Sequence, residues 1–366
     1  MERILGLHHV SSVVKNAQEN VDFYAGMLGM RLVKKTLNYD DIEEYHFYYG
    51  NHDGSTGLST YFPISDSKEG DIGDGQVGYV TYAVNTGALD FWKERLDHFD
   101  IFNYSYERFG ERYLAFSDRH GLDIELVETP LGPNSQWAFN GVQPKTAIKG
   151  LYNAALFSER PTQTLALFTD LFGYTIVAED DEYYRLRIHE GLGGLIDIRK
   201  HTTTIGTKGH GTVHHIAFAI ERGTEEAWRE KLLGAGYFPT EVKNRKYFNA
   251  IYFRERGGIL IELSTVTPGV SVDEPVETLG EAFIIPEHFE AQRLIIESKF
   301  MPVFVKEIDT LETYGYRNRY EYDMITKRNE IRESINAIKA FEKERPLTDD
   351  EQAQLKALRK AFIKVR

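Results

Sequence analysis

The sequence predicts an α+β protein: four βαβββ modules forming two barrel-like domains, followed by a C-terminal helical extension. Three observations carry this. Two segments share a tryptophan helix, Phe91-Trp92-Lys93-Glu94-Arg95-Leu96 and Ala227-Trp228-Arg229-Glu230-Lys231-Leu232. Two others share an aromatic helix and turn, Asp22-Phe23-Tyr24 with Leu28-Gly29-Met30, and Leu167-Phe168 with Leu171-Phe172-Gly173-Tyr174. Acidic strands repeat in step with the tryptophan helices. Glu262 follows Glu125 by 137 residues, and Trp228 follows Trp92 by 136. Segment one thus matches three, and two matches four.

The elements follow in chain order. Residues 1–145 hold modules one and two, and 146–267 hold modules three and four. Residues 268–316 form a C-terminal segment expected near the pocket mouth. Residues 317–366 are polar and charged, with Ile331, Ile335, Ile338 and Phe341 at helical spacing. Pro346 breaks that pattern. Thr348-Asp349-Asp350-Glu351 reads as a capping box for a second helix bearing Leu355, Leu358 and Phe362. A helical hairpin is expected, docked on its own barrel or forming a subunit contact in a homo-oligomer.

Composition bounds the function. The 366 residues suffice for two domains, and 42% are hydrophobic. A net charge of −13 argues against nucleic acid or an anionic membrane as partner. No run approaches a membrane span, and no signal peptide is read at Met1-Glu2-Arg3-Ile4, so a cytoplasmic location is expected. The absence of cysteine excludes disulfides, Cys-metal sites and thiol chemistry.

The chemistry resides in two His-His pairs and one acidic strand. The pairs are His8-His9, in Gly6-Leu7-His8-His9-Val10, and His214-His215, in Val213-His214-His215-Ile216-Ala217-Phe218. The acidic strand is Gly258-Ile259-Leu260-Ile261-Glu262-Leu263. Side chains alternate across a strand, so His215 shares a small-residue face with Ala217 and Ala219. His214 shares the bulky face with Ile216, Phe218 and Ile220. His9 falls with Ser11, and Glu262 with Ser264. Parity therefore selects His9, His215 and Glu262 as metal ligands and leaves His8 and His214 as neighbours, unless a bulge re-aims them. The equivalent positions in modules two and three are Tyr79, Asn153 and Glu125, a poor set. The metal is thus expected between modules one and four, with Glu125 a structural vestige. Two histidines and one carboxylate leave open positions, which suits Fe(II) and dioxygen, and Mn(II) accepts the same set. The stretch Gly57-Leu58-Ser59-Thr60-Tyr61-Phe62-Pro63 offers no acid or histidine as a fourth ligand. Of the remaining histidines, His210 could line a loop near the site, whereas His46 and the others read as surface or structural.

The repeated modules resemble the vicinal-oxygen-chelate superfamily of glyoxalases, bleomycin-resistance proteins and extradiol dioxygenases. Within it, residues from about 3 to 300 resemble ring-cleaving hydroquinone dioxygenases. The resemblance rests on both His-His blocks, Asn244-Arg245-Lys246-Tyr247-Phe248, Ile251-Tyr252-Phe253-Arg254-Glu255 and Ile261-Glu262. It implies an enzyme that opens a small aromatic ring with O2 at Fe(II) held by His9, His215 and Glu262, in quinone detoxification or aromatic catabolism. It places His8, Ser11, His214, Arg245 and Tyr252 around the substrate, with Ser11 where a threonine is expected. Arg245 would then stabilise developing oxyanions, His214 would exchange protons, and Tyr252 would hydrogen-bond the bound oxygens. The rival readings are an extradiol catechol dioxygenase, a glyoxalase-type isomerase or transferase, and a non-enzymatic ligand-binding module of the bleomycin-resistance type.

Overall fold

The computed structural model describes residues 2–312, 322–342 and 345–364. Each module is a strand, a helix and three strands. Module one holds β1 (Leu7–Val14), β2 (Arg31–Leu37), β3 (Tyr45–Gly50) and β4 (Leu58–Pro63). Module two holds β5 (Gln76–Val84), β6 (Asn103–Arg108), β7 (Glu111–Ser117) and β8 (Asp123–Glu128). Module three holds β9 (Gly150–Phe157), β10 (Thr175–Glu179), β11 (Tyr183–Arg187) and β12 (Leu195–Arg199). Module four holds β13 (Thr212–Ile220), β14 (Lys243–Asn244), β15 (Asn249–Arg254) and β16 (Leu260–Thr265).

The helices repeat as the sequence pattern requires. In module one, Asn16 caps the helix Ala17–Val21 by accepting the Glu19 N–H. The helix then widens into a π-helical turn, Asp22–Met27, which buries Phe23 and Tyr24. Module three does the same with Pro161–Ala166 and Leu167–Leu171, burying Leu167 and Phe168. The helices Leu89–His98 and Glu225–Gly234 bury Trp92 and Trp228 completely. Phe218 projects from β13 onto Phe168 and Phe172, so the bulky face of that strand packs beneath a helix as its parity predicts.

One sheet joins the first and last modules, and the other joins the two middle ones. One runs β14-β15-β16-β13-β1-β4-β3-β2, with β17 (Phe283–Ile284) added at the edge, and combines modules four and one. The other runs β10-β11-β12-β9-β5-β8-β7-β6 and combines modules three and two. A division by chain order at residue 145 therefore cuts across both sheets. The strands that bear the two His-His pairs, β1 and β13, lie side by side and antiparallel at the centre of the first sheet.

The extension is a helical hairpin of Tyr322–Glu342 and Asp349–Lys364. Ile331, Ile335, Ile338 and Leu355 are buried together, and Leu358 and Phe102 pack against them. Phe341, placed by spacing on the same stripe, is instead 47% exposed, because the apolar contact ends one turn earlier. The side chain of Phe362 and residues 317–321 lie outside the described part. The capping box forms: Glu351 N–H reaches Thr348 Oγ1, and Thr348 N–H donates to Glu351 Oε2. The hairpin docks on module two, where Arg359 donates to the Tyr104 hydroxyl at 2.7 Å. Among the described residues no helix is long and apolar enough to cross a membrane.

Candidate metal centre

The site forms where β1, β13 and β16 lie adjacent. Ala217 pairs with His9 on one side and Glu262 on the other, so small residues leave space on the inner face. His9 Nε2 and His215 Nε2 lie 3.1 Å apart. Glu262 Oε2 lies 3.3 Å from the former and 2.8 Å from the latter. All three residues are buried, and among the described residues they form the cluster able to hold a metal ion. Ser264 Oγ donates to Glu262 Oε1 at 2.6 Å and orients the carboxylate, while Oε2 has no aligned hydrogen bond. An unsatisfied buried oxygen facing two imidazole nitrogens fits a cation. Burial pushes the Glu262 pKa up, but the facing His9 and His215 outweigh it and hold the group ionised.

Register shifts place the neighbouring histidines. In the pairing of β1 with β13, Leu7 and His9 face Phe218 and Ala217, which leaves His8 as an extra residue. Ser11 and Ser12 face His215 and Val213, which leaves His214 as another. These bulges re-aim both side chains. His8 Nδ1 comes 2.8 Å from His9 Nδ1, and His214 Nδ1 comes 2.8 Å from His215 Nδ1. With Nε2 of His9 and His215 turned to the metal position, each Nδ1–H can donate to its neighbour and fix the ring orientation. Burial, then His9, lowers the His8 pKa to about 3, so its ring is neutral and can accept that bond. His214 is more exposed at the sheet surface, but crowding and the adjacent His215 push its pKa down as well.

Arg245 and Tyr252 approach from module four. Tyr252 pairs with Glu262 across β15 and β16, and its ring stands perpendicular to His215 at 5.7 Å. Burial and Glu262 raise its pKa, so the phenol stays protonated. Arg245 Nε donates to the Tyr252 hydroxyl at 3.3 Å. Its outer nitrogens grip Asp40 of module one at 2.9 and 2.6 Å. Ser11 Oγ lies 2.6 Å from Thr60 Oγ1. Thr60 thus supplies a hydroxyl where a fourth acidic ligand was sought on β4. His210 bonds the Ser67 backbone oxygen at 3.0 Å and is outside the ligand cluster. Sequence reasoning missed Asp40, which carries no local signal; His46 is buried and hydrogen-bonded to Thr60 and Tyr48, in keeping with the structural reading.

The second sheet repeats the frame without the ligands. Tyr79 and Asn153 stand at the His215 and His9 positions, and Gly78 and Tyr152 are the bulge residues. The Arg108 guanidinium fills the centre, 3.0 Å from Glu125 and 3.1 Å from Asp197, and donates to the Tyr79 hydroxyl at 2.5 Å.

A two-His, one-carboxylate centre shared by paired βαβββ modules defines a metal-site protein of the glyoxalase class. The Glyoxalase/Bleomycin resistance protein/Dioxygenase superfamily model matches residues 6–126. MhqO of Bacillus subtilis (strain 168), named as a ring-cleaving dioxygenase, is 43% identical over 84% of this chain and 99% of its own length. The chlorohydroquinone/hydroquinone 1,2-dioxygenase of Sphingobium indicum is 32% identical over 78% of this chain and 93% of its own length. The crystal structure of a Bacillus subtilis protein described as a dioxygenase superposes with a TM-score of 0.82, at 42% identity. It covers 84% of this chain and 100% of that one. Glyoxalase I from Zea mays, at 15% identity and a TM-score of 0.56, shares the fold. The chain belongs to the ring-cleaving dioxygenase family of this superfamily.

Proposed function

We propose that the protein opens a hydroquinone-type ring with O2, using Fe(II) held by His9, His215 and Glu262. The observation that carries this reading is the buried convergence of two imidazole nitrogens on an otherwise unsatisfied carboxylate oxygen. Its relatives include a hydroquinone 1,2-dioxygenase, which supports the substrate class. Bound there, Fe(II) supplies open coordination positions and an electron path between ring and dioxygen. Mn(II) accepts the same ligands.

The chain's own groups do the rest. His8 and His214 fix the ligand tautomers, and the more exposed His214 is placed to exchange protons with solvent. Arg245 holds positive charge beside the site and stabilises oxyanions as the ring loses its hydroxyl protons. Tyr252, kept protonated, donates to substrate oxygen. Ser11 offers a hydroxyl one strand from His215. The setting is removal of quinone-type toxicants or aromatic catabolism in the cytoplasm, with no nucleic-acid or membrane partner.

The test is oxygen uptake by anaerobically Fe(II)-loaded protein, with methylhydroquinone and catechol in parallel and His215→Ala as control. Uptake with methylhydroquinone that the control lacks is the expected result. Preference for catechol would move the enzyme to the extradiol group. No uptake with either, despite bound iron, would sink the dioxygenase reading for this chain.

A further inference from the structure

Arg245 is held from two sides at the rim of the metal centre. It lies in the turn between β14 and β15, where its N–H donates to the Phe248 carbonyl at 2.9 Å and its carbonyl accepts from the Tyr247 N–H at 2.7 Å. Lys246 follows in the left-handed region, at φ 65°, and the two adjacent cations reach different acids. Lys246 Nζ takes Asp273 at 2.5 Å, which also accepts from Lys34 Nζ and the Tyr247 hydroxyl. That acid ties the turn to the segment after β16. Asp40 comes from the other side, on the loop between β2 and β3. Asn38 Oδ1 accepts the Asp40 N–H at 3.0 Å, and Asn38 Nδ2 donates to Glu44 Oε2 at 2.9 Å, so a folded loop presents the carboxylate. It accepts end-on from Arg245 Nη1 at 2.9 Å and Nη2 at 2.6 Å, with Lys243 at 3.8 Å.

This pair contributes little to stability, because Asp40 is 60% exposed, whereas Arg245 is only 14% exposed. What the fork fixes is direction. A guanidinium is planar and carries five N–H groups. The end-on grip uses one from each Nη and leaves the edge formed by Nε–H and the second Nη2–H. Nε donates to the Tyr252 hydroxyl at 3.3 Å, and among the described residues Nη2 has no acceptor besides Asp40. Tyr252 pairs in register with Glu262, and its ring stands on His215. The donor edge is thus turned inward while Asp40 holds the outer end, where water screens its charge. A single bond of 3.3 Å is long and cannot by itself hold so flexible a side chain. Because the Tyr252 oxygen receives Nε–H, its own proton stays available to another acceptor.

We propose that Asp40 is a positioning residue: by gripping the outer nitrogens of Arg245, it aims the inner edge of the guanidinium at Tyr252 and at the substrate oxygens. The proposal rests on the ring cleavage argued above and assigns the group that makes Arg245 effective there.

Four full-length proteins test it: wild type, Asp40→Ala, Arg245→Ala and the double variant. Fe(II)-loaded Asp40→Ala should keep its metal content and urea midpoint, because Asp40 is exposed and lies outside the ligand cluster. Its kcat for methylhydroquinone should fall about 10- to 100-fold, the cost of misplacing a group at the reacting centre. Its anaerobic affinity for methylhydroquinone, by calorimetry, should stay within about 3-fold, since oxyanion stabilisation acts as charge develops. The double variant should lose no more kcat than Arg245→Ala alone. Asp40→Glu, which keeps the carboxylate, should recover part of the loss. Unchanged kcat, losses that multiply in the double variant, or a loss confined to affinity overturns the proposal. A crystal structure of Asp40→Ala reports without turnover. Arg245 Nε should leave the Tyr252 hydroxyl, and a guanidinium still in place overturns the proposal. Wild-type oxygen uptake is measured separately. Its absence would sink the ring-cleavage reading, and the crystal structure would still decide whether Asp40 positions Arg245.

Discussion

Each His-His pair divides two tasks between adjacent residues. His9 and His215 present Nε2 to the metal position, and His8 and His214 hold the opposite nitrogens at 2.8 Å. Removing such an orienting partner typically weakens a metal site 10- to 100-fold. His8→Ala should therefore lower Fe(II) affinity by about that factor with all three ligands present, as competition with a chromophoric chelator would show. An unchanged affinity would mean that the His8 contact is incidental. The same ring makes stability depend on pH. In the folded metal-free protein the His8 pKa is about 3, against about 6.5 when unfolded. Between those values the unfolded chain binds more protons, so the contribution is complete above pH 6.5 and is lost as pH falls towards 3. The slope is about 1.4 kcal/mol per pH unit. Urea unfolding of the metal-free protein between pH 7 and 5 should show a shallower decline for His8→Phe. Alternation puts His9, His215 and Glu262 on the small-residue face, and these are the three side chains that converge in the structure. It did not reveal how close His8 and His214 come, because a bulge depends on the partner strand.

At the scale of elements, local pattern and long-range contact contribute differently. The capping box at Thr348 and the stripe of Ile331, Ile335 and Ile338 were legible because helix geometry converts spacing directly into a face. Phe341 fits the same spacing yet is exposed, since burial also needs an opposing surface. That surface is supplied by Phe102 and Tyr104 of module two, some 230 residues away in the chain. The hairpin should accordingly detach without disturbing the metal centre, which lies on the other sheet. Ile335 is fully buried, so Ile335→Asp places a charge in that apolar contact. Hydrogen exchange should rise throughout residues 322–364, while metal content and oxygen uptake stay at wild-type values. Loss of metal from this variant would show that the hairpin supports the first sheet.

The molecule as a whole pairs its modules in a way that local sequence does not declare. Modules two and three, consecutive in the chain, share one sheet, and modules one and four, its two ends, share the other. The clue is chemical: the complete set of two histidines and a carboxylate is found in the first and last modules together. What the sequence left unseen was the replacement at the other centre. There Arg108 sits against Glu125 and Asp197 within a ring of tyrosines that includes Tyr79, Tyr106 and Tyr113. Its positive charge stands where the first sheet has room for a cation, and the two carboxylates hold its pKa well above normal against the cost of burial. The protein should therefore bind one metal per chain. Glu262→Gln should abolish that binding, whereas Glu125→Gln should leave metal content unchanged, as elemental analysis after dialysis would reveal. Arg108→Ala tests the substitution from the other side. It leaves two buried carboxylates without their cation, which costs about 3–5 kcal/mol in comparable buried pairs. Chemical denaturation should show a loss of that order, with the metal at the first centre retained. If Arg108→Ala instead unfolds at the wild-type denaturant concentration, the guanidinium is not what holds the second sheet's core together. Two metals per wild-type chain would show that the second centre still works as a metal site.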